Sequence, residues 1–169
     1  MKLLPIIIML LSLFGSHSSQ DNTLTYNGKP AGDFKYYEYR SSTMREYPRE
    51  YYRLEASEDA GVTLSWAKSN SKVTVLRVPA EAVRKVDAMI DEYKLYRLKK
   101  MYTPPFRVHD GIQWHVYFRY GKGGVSCTAD NAWPPDTLKE GIKAVNAYFN
   151  ALIEASKEED IIANNIISE

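Results

Sequence analysis

The sequence predicts an α+β fold: an antiparallel β-sheet with two α-helices packed on one face, in the order β-β-β-β-α-β-β-α. Three observations predict it. Four alternating or β-branched runs occupy residues 34–78. Two stretches, 80–93 and 136–156, repeat apolar residues at spacings of three and four. Between those stretches, a glycine-rich turn joins two alternating segments at residues 113–130. Side chains on a strand have period two and those on a helix period 3.6, so these patterns separate the two element types.

Residues 36–40 and 51–56 read as the first two strands, because tyrosines suit a half-buried pleated surface, with 41–48 as their connection. Val62, Leu64 and Trp66 alternate with polar residues and give a third strand. Residues 73–78 are apolar on both faces and predict a central fourth strand. Pro79 suits the start of a helix, and Val83, Val86, Ile90 and Tyr93 mark its apolar stripe. The opposite side carries mixed charges, an ordinary solvated face.

In the later hairpin, Trp114, Val116, Phe118 and Tyr120 share a face with Val125, Cys127 and Ala129. Two registers keep those faces together: one sets His115 opposite Asp130, the other Tyr117 opposite Asp130. Pro134 and Pro135 end the hairpin, and Asp136 is the expected cap of the last helix. Leu138, Ile142, Val145, Phe149 and Leu152 form its stripe, and Gly141 marks close packing against the sheet. Residues 158–169 lack a sustained rhythm and read as a frayed tail.

The domain plan is therefore a leader at 1–18, a flexible lead-in at 19–33, one domain at 34–157 and the tail. Lys2, the apolar run 3–14 and the small residues Ser16 and Ser18 have the layout of a secretory signal peptide cleaved near Ser18. The apolar run is too short to span a bilayer, so no membrane span is expected once the leader is removed. With 22 Lys+Arg against 21 Asp+Glu, charge does not favour nucleic acid or an anionic membrane as partner. One cysteine cannot form an internal disulfide, and an exported chain without one suits a bacterial periplasm or exterior. Cys127 lies on the apolar strand face and reads as a buried, inert thiol.

No zinc-binding spacing, nucleophile elbow or phosphate loop is present, and no cofactor is expected. Two groups of residues are chemically suggestive. Tyr36, Tyr37, Tyr39, Tyr47 and Tyr51 interleave with Arg40 and Arg53, offering ring faces for stacking and planar forks for carboxylate or hydroxyl groups. The polar hairpin face carries Gln113, His115, Tyr117, Arg119, Thr128 and Asp130. There a histidine beside a carboxylate can act as a base while Arg119 steadies charge. The competing reading of both groups is ordinary sheet surface with favourable cross-strand pairs. Trp133 either lines a pocket at the end of the sheet or plugs the core, and the plug is the expectation.

Asp110-Gly111, Trp114-x-Val116, a glycine turn and Asn131-Ala132-Trp133-Pro134 before a helix together resemble a pattern in small exported bacterial domains of unknown function. That resemblance covers residues 110–152 and implies fold and location but no activity. The expected function is a non-enzymatic module binding a ligand or an envelope protein. A small hydrolase using His115 and Asp130, and a structural part of an envelope assembly, are the alternatives.

Overall fold

The structure, a computed structural model, describes residues 28–106 and 108–166. The expected leader and most of the lead-in lie outside the described residues. Its strands are β1 (Ala31–Ser42), β2 (Glu50–Ser57), β3 (Gly61–Lys68), β4 (Val73–Arg77), β5 (Met101–Tyr102), β6 (Gln113–Asp130) and β7 (Ile161–Ile166). The helices are α1 (Glu81–Glu92) and α2 (Asp136–Ala155). The α+β class is as expected, but the sheet is mixed and has seven strands, in the order β5-β6-β1-β2-β3-β4-β7. Two-residue β5 runs parallel to β6, pairing Met101 with Thr128 and Tyr102 with Ala129. The expected frayed tail instead supplies β7, which pairs antiparallel with β4. The element order along the chain therefore differs from the expected β-β-β-β-α-β-β-α by the added β5 and β7, and β4 is interior only because β7 covers its edge.

β6 contains both arms of the predicted hairpin. Its first arm pairs with β1 and its second with β5. The open end is closed by the Asn131 N–H, which donates to the Ile112 carbonyl at 2.9 Å. Near the turn, a Cβ on Gly124 would sit 3.2 Å from the Arg119 Cα. Counting from these contacts sets Gln113 opposite Asp130 and His115 opposite Thr128. Neither expected register occurs, although the apolar faces stay together.

A local lock explains the pairing. The Asn131 side-chain oxygen also accepts the Ile112 N–H at 2.9 Å, and Asn131 adopts a φ of 51°. A Cβ on Gly111 would collide with that same oxygen at 1.3 Å, so only glycine leaves it room. Trp114 Nε1 donates to the Ala132 carbonyl at 2.8 Å, tying the exit of the hairpin to its entry.

One sheet face packs on both helices. The core joins Tyr37, Tyr52, Leu54, Leu64, Val116 and Phe118 from the strands to Val86 and Ile90 of α1 and Val145 and Phe149 of α2. Phe149 meets Tyr37 at 5.6 Å and Tyr52 at 5.8 Å between ring centroids. Asp136 begins α2 without capping it through its side chain, because the cap position falls on Pro135. Gly141 does pack closely, but against Tyr93 and Leu95 at the end of α1, not against the sheet. At the edge of the core, Lys29 lies 2.7 Å from both Asp87 and Asp91, and the Tyr120 hydroxyl donates to Asp87 at 2.6 Å.

Candidate functional site

Among the described residues no helix covers the other sheet face, and most of the residues singled out above gather there. The reason starts in β1. Pairing between β1 and β6 is irregular on either side of Phe34, so Phe34, Tyr37 and Tyr39 all face the core although the first two are three residues apart. Tyr36, Glu38 and Arg40 consequently face outward. β6 sets Arg119, Tyr117 and His115 beside them, and β2 sets Glu55, Arg53 and Tyr51 on the other side.

These rows interlock. The Arg53 guanidinium lies 4.8 Å from the Tyr36 ring centroid and bonds Glu55 at 2.8 Å. Tyr36 meets Tyr117 at 5.4 Å and donates its hydroxyl to Glu38. Arg40 lies 5.3 Å from the Tyr51 ring and 6.0 Å from that of Tyr47, whose hydroxyl accepts its N–H at 3.2 Å. His115 stacks on Tyr117 at 6.5 Å, and its Nε2 is 3.2 Å from Ser126 Oγ. Next to this polar strip, Tyr51, Ala67 and Val73 form a small second apolar cluster.

Cation–π contacts contribute roughly 0.5–1 kcal/mol at exposed sites and more when desolvated, so two stacked arginines are worth holding in place. Burial lowers the His115 pKa below 6.5, with Glu38 opposing the shift and Arg40 adding to it. Burial and the Glu38 carboxylate raise the Tyr36 phenol, keeping it a protonated donor.

The remaining candidates separate from this face. Tyr37 and Tyr39 are 0% and 3% exposed on the helix side, so neither belongs to an outer patch. Tyr47 stands at the patch margin, 63% exposed. Asp130 is exposed at the end of β6 and accepts Asn131 Nδ2 at 2.8 Å, away from His115, which faces Thr128 and contacts Ser126 instead. Arg119 is exposed opposite Tyr36. Trp133 is no core plug: it is 40% exposed and stacks on buried Trp114 at 5.1 Å. Cys127 is buried, and burial pushes its thiol up to about 12. Among the described residues, no cluster of three or more His, Cys, Asp or Glu side chains is placed to hold a metal ion.

Sequence reasoning missed Glu38 and Glu55, which tie the arginines and tyrosines together. The period-two spacing of Tyr36, Glu38 and Arg40 was the available signal, and it also separates Tyr37 and Tyr39 onto the other face.

These features define a class: an α+β domain with helices on one sheet face and an interlocked aromatic and arginine surface on the other. Comparison with known proteins takes the assignment no further, since the chain matches no protein-family model and no curated protein.

Proposed function

We propose that the protein is a non-enzymatic binding module of the bacterial envelope or exterior, and that it engages its ligand or partner protein through the outer sheet face. One observation carries this reading: Tyr36, Arg40, Tyr51, Arg53 and Tyr117 form one contiguous set on a sheet face that no helix covers among the described residues. Stacking already restricts the side chains of Arg40 and Arg53, so less rotamer entropy is lost on binding. Their guanidinium edges suit carboxylate or carbonyl groups, and the half-buried rings of Tyr36 and Tyr117 supply apolar area, whereas Tyr51 is 6% exposed and serves to stack Arg40. The export part of the proposal rests on the leader-like residues 1–18 and the lack of disulfide-forming cysteines. His115 and Asp130 do not meet, so the geometry lends no support to a hydrolytic pair.

The test is affinity capture from the native envelope fraction with the full chain. Arg40→Ala combined with Tyr117→Ala is expected to lower capture at least tenfold, a loss of about 1.4 kcal/mol. Arg84→Ala with Glu92→Ala on the exposed side of α1 is expected to leave capture unchanged. Equal capture by wild type and the outer-face variant removes that face as the binding surface.

A further inference from the structure

At the end of the outer face where β1 stops and β6 begins, residues 42–47 and 108–113 flank a pocket of about 280 Å³. It continues the proposed partner surface. Ser42 pairs with Gln113 two residues on from the Arg40–His115 pair, and both line the pocket. Tyr47, whose hydroxyl accepts the Arg40 N–H at 3.2 Å, lines it too. Asp130 and Asn131 join from the far end of β6. The flanking loops are held in place before anything binds. Thr43 Oγ1 accepts the N–H groups of Arg45 and Glu46 at 3.3 and 3.1 Å. The Asn70 side chain accepts the Tyr47 N–H and donates to the Arg45 carbonyl at 3.1 Å. On the other side, the Asn131 oxygen holds the Ile112 N–H in the room that Gly111 leaves. Such restraint lowers the entropy lost when a partner docks.

The lining selects the occupant. Among the described residues that line the pocket, Asp130 is the one carboxylate, none is lysine or arginine, and His109 is the other titratable group. Asp130 is exposed, and its negative charge attracts a cation. Ser42 and Gln113 add side-chain oxygens that accept from an ammonium or guanidinium. Met44 and Tyr47, 82% and 63% exposed, offer a thioether and a ring face to an aliphatic stem and the charge it carries. Long basic side chains bury their stems along such surface and keep the charge at the tip. The volume lies just below the range of about 300–1,000 Å³ found for whole small-ligand sites, which suits a single side chain. Cationic residues adjoin the pocket on both sides: Arg40 on the sheet, and Arg45 and Arg49 in a neighbouring cleft of about 600 Å³ that also holds Asp110. Arg49 is partly offset by Glu46 at 3.8 Å. An occupant of this region therefore turns positive charge to Asp130 and negative charge to the arginines beside it.

We infer that this pocket takes a lysine or arginine side chain of the partner protein, with the cationic head against Asp130 and the methylene stem against Met44 and Tyr47. The inference rests on the outer-face reading and specifies one anchor point within it.

The nitrogen-labelled full chain is titrated with the blocked amides N-acetyl-lysine amide, N-acetyl-arginine amide, N-acetyl-norleucine amide and N-acetyl-glutamate amide, following backbone amide shifts. Saturable shifts at Tyr47, Gln113 and Asp130, with millimolar affinity, are expected for the lysine and arginine compounds. None is expected for norleucine, which keeps the stem without the charge. Asp130→Asn is expected to weaken lysine binding about fivefold. Tyr47→Ala, at an exposed position whose bond to Asn70 is made by the backbone, is expected to weaken it as well. Dispersed amide spectra show that each variant is folded. Equal shifts from norleucine and lysine, preference for glutamate, or wild-type affinity in both variants overturns the proposal. The probes need no partner, so the absence of lysine and arginine binding overturns this pocket assignment whatever the capture experiment shows. Undiminished capture by the Arg40→Ala, Tyr117→Ala variant overturns the partner surface whatever the probes show.

Discussion

His115 shows how much of the outer face depends on single side chains. Its strand position directs it outward, yet burial, against the pull of Glu38 and with a further push from Arg40, holds its pKa below 6.5. Above pH 6.5 the ring is neutral both folded and unfolded. As pH falls from there, the unfolded chain takes up a proton before the folded one does, so stability is lost until the lowered folded pKa is passed. Denaturant titrations at stepwise lower pH are expected to show that decline in the wild type and a flatter profile in His115→Gln. Identical profiles would remove the burial effect. Cys127 offers a second check: with its thiol pushed up to about 12, alkylation by a thiol reagent at neutral pH is expected to follow unfolding, not solvent exposure of the native state. The inward side of Cys127 was legible from alternation alone. The inward side of Tyr37 and Tyr39 was not separated from the outward side of Tyr36, because six tyrosines in one segment read as a composition before they read as a period.

The two helices were the most legible elements, since an apolar stripe at 3.6-residue period persists over several turns; both fall within one residue of the expected bounds. What the stripe does not reveal is the neighbour of each position. Gly141 was expected against the sheet, but a Cβ there meets Tyr93 at 2.4 Å. Gly141→Ala is therefore expected to destabilise the protein by about 1–3 kcal/mol through overpacking, despite the better helix propensity of alanine. A rise in denaturation midpoint would show that the α1–α2 contact yields easily. The least legible elements were the shortest and the last. β5 has two residues, and its place follows from long-range contacts such as the Thr128 N–H donating to the Lys100 carbonyl. β7 was invisible because its apolar pairs gain a partner only at the edge of β4. Truncation after Ser156 removes that cover, including the bond from Thr74 Oγ1 to Asn164 Oδ1 at 2.7 Å. Amide exchange at Val73 and Val75 is expected to accelerate about tenfold or more, with the β1–β6 pairing little changed. Unchanged exchange in β4 would mean that β7 adds no protection. The hairpin register escaped the sequence for a related reason: four turn residues, three of them glycine, permit several turns, and the Gly111–Asn131 lock decides among them.

For the whole molecule, the sheet divides the labour. One face is closed by α1 and α2 around an aromatic core, and the other presents arginines stacked on tyrosines. This division follows from strand alternation plus the irregularity around Phe34, which turns Tyr36, Glu38 and Arg40 outward together. Ordinary surface pairs contribute little and tolerate change; a recognition face should instead lose solvent access when its partner arrives. The most direct test is residue-resolved tyrosine modification of the full chain with and without native envelope extract. Protection of Tyr36, Tyr47 and Tyr117, with Tyr93 and Tyr148 on the helices unchanged, is the predicted result. Protection confined to Tyr93 and Tyr148, or equal labelling of all five with and without extract, would contradict the assignment of the outer sheet face as the binding surface.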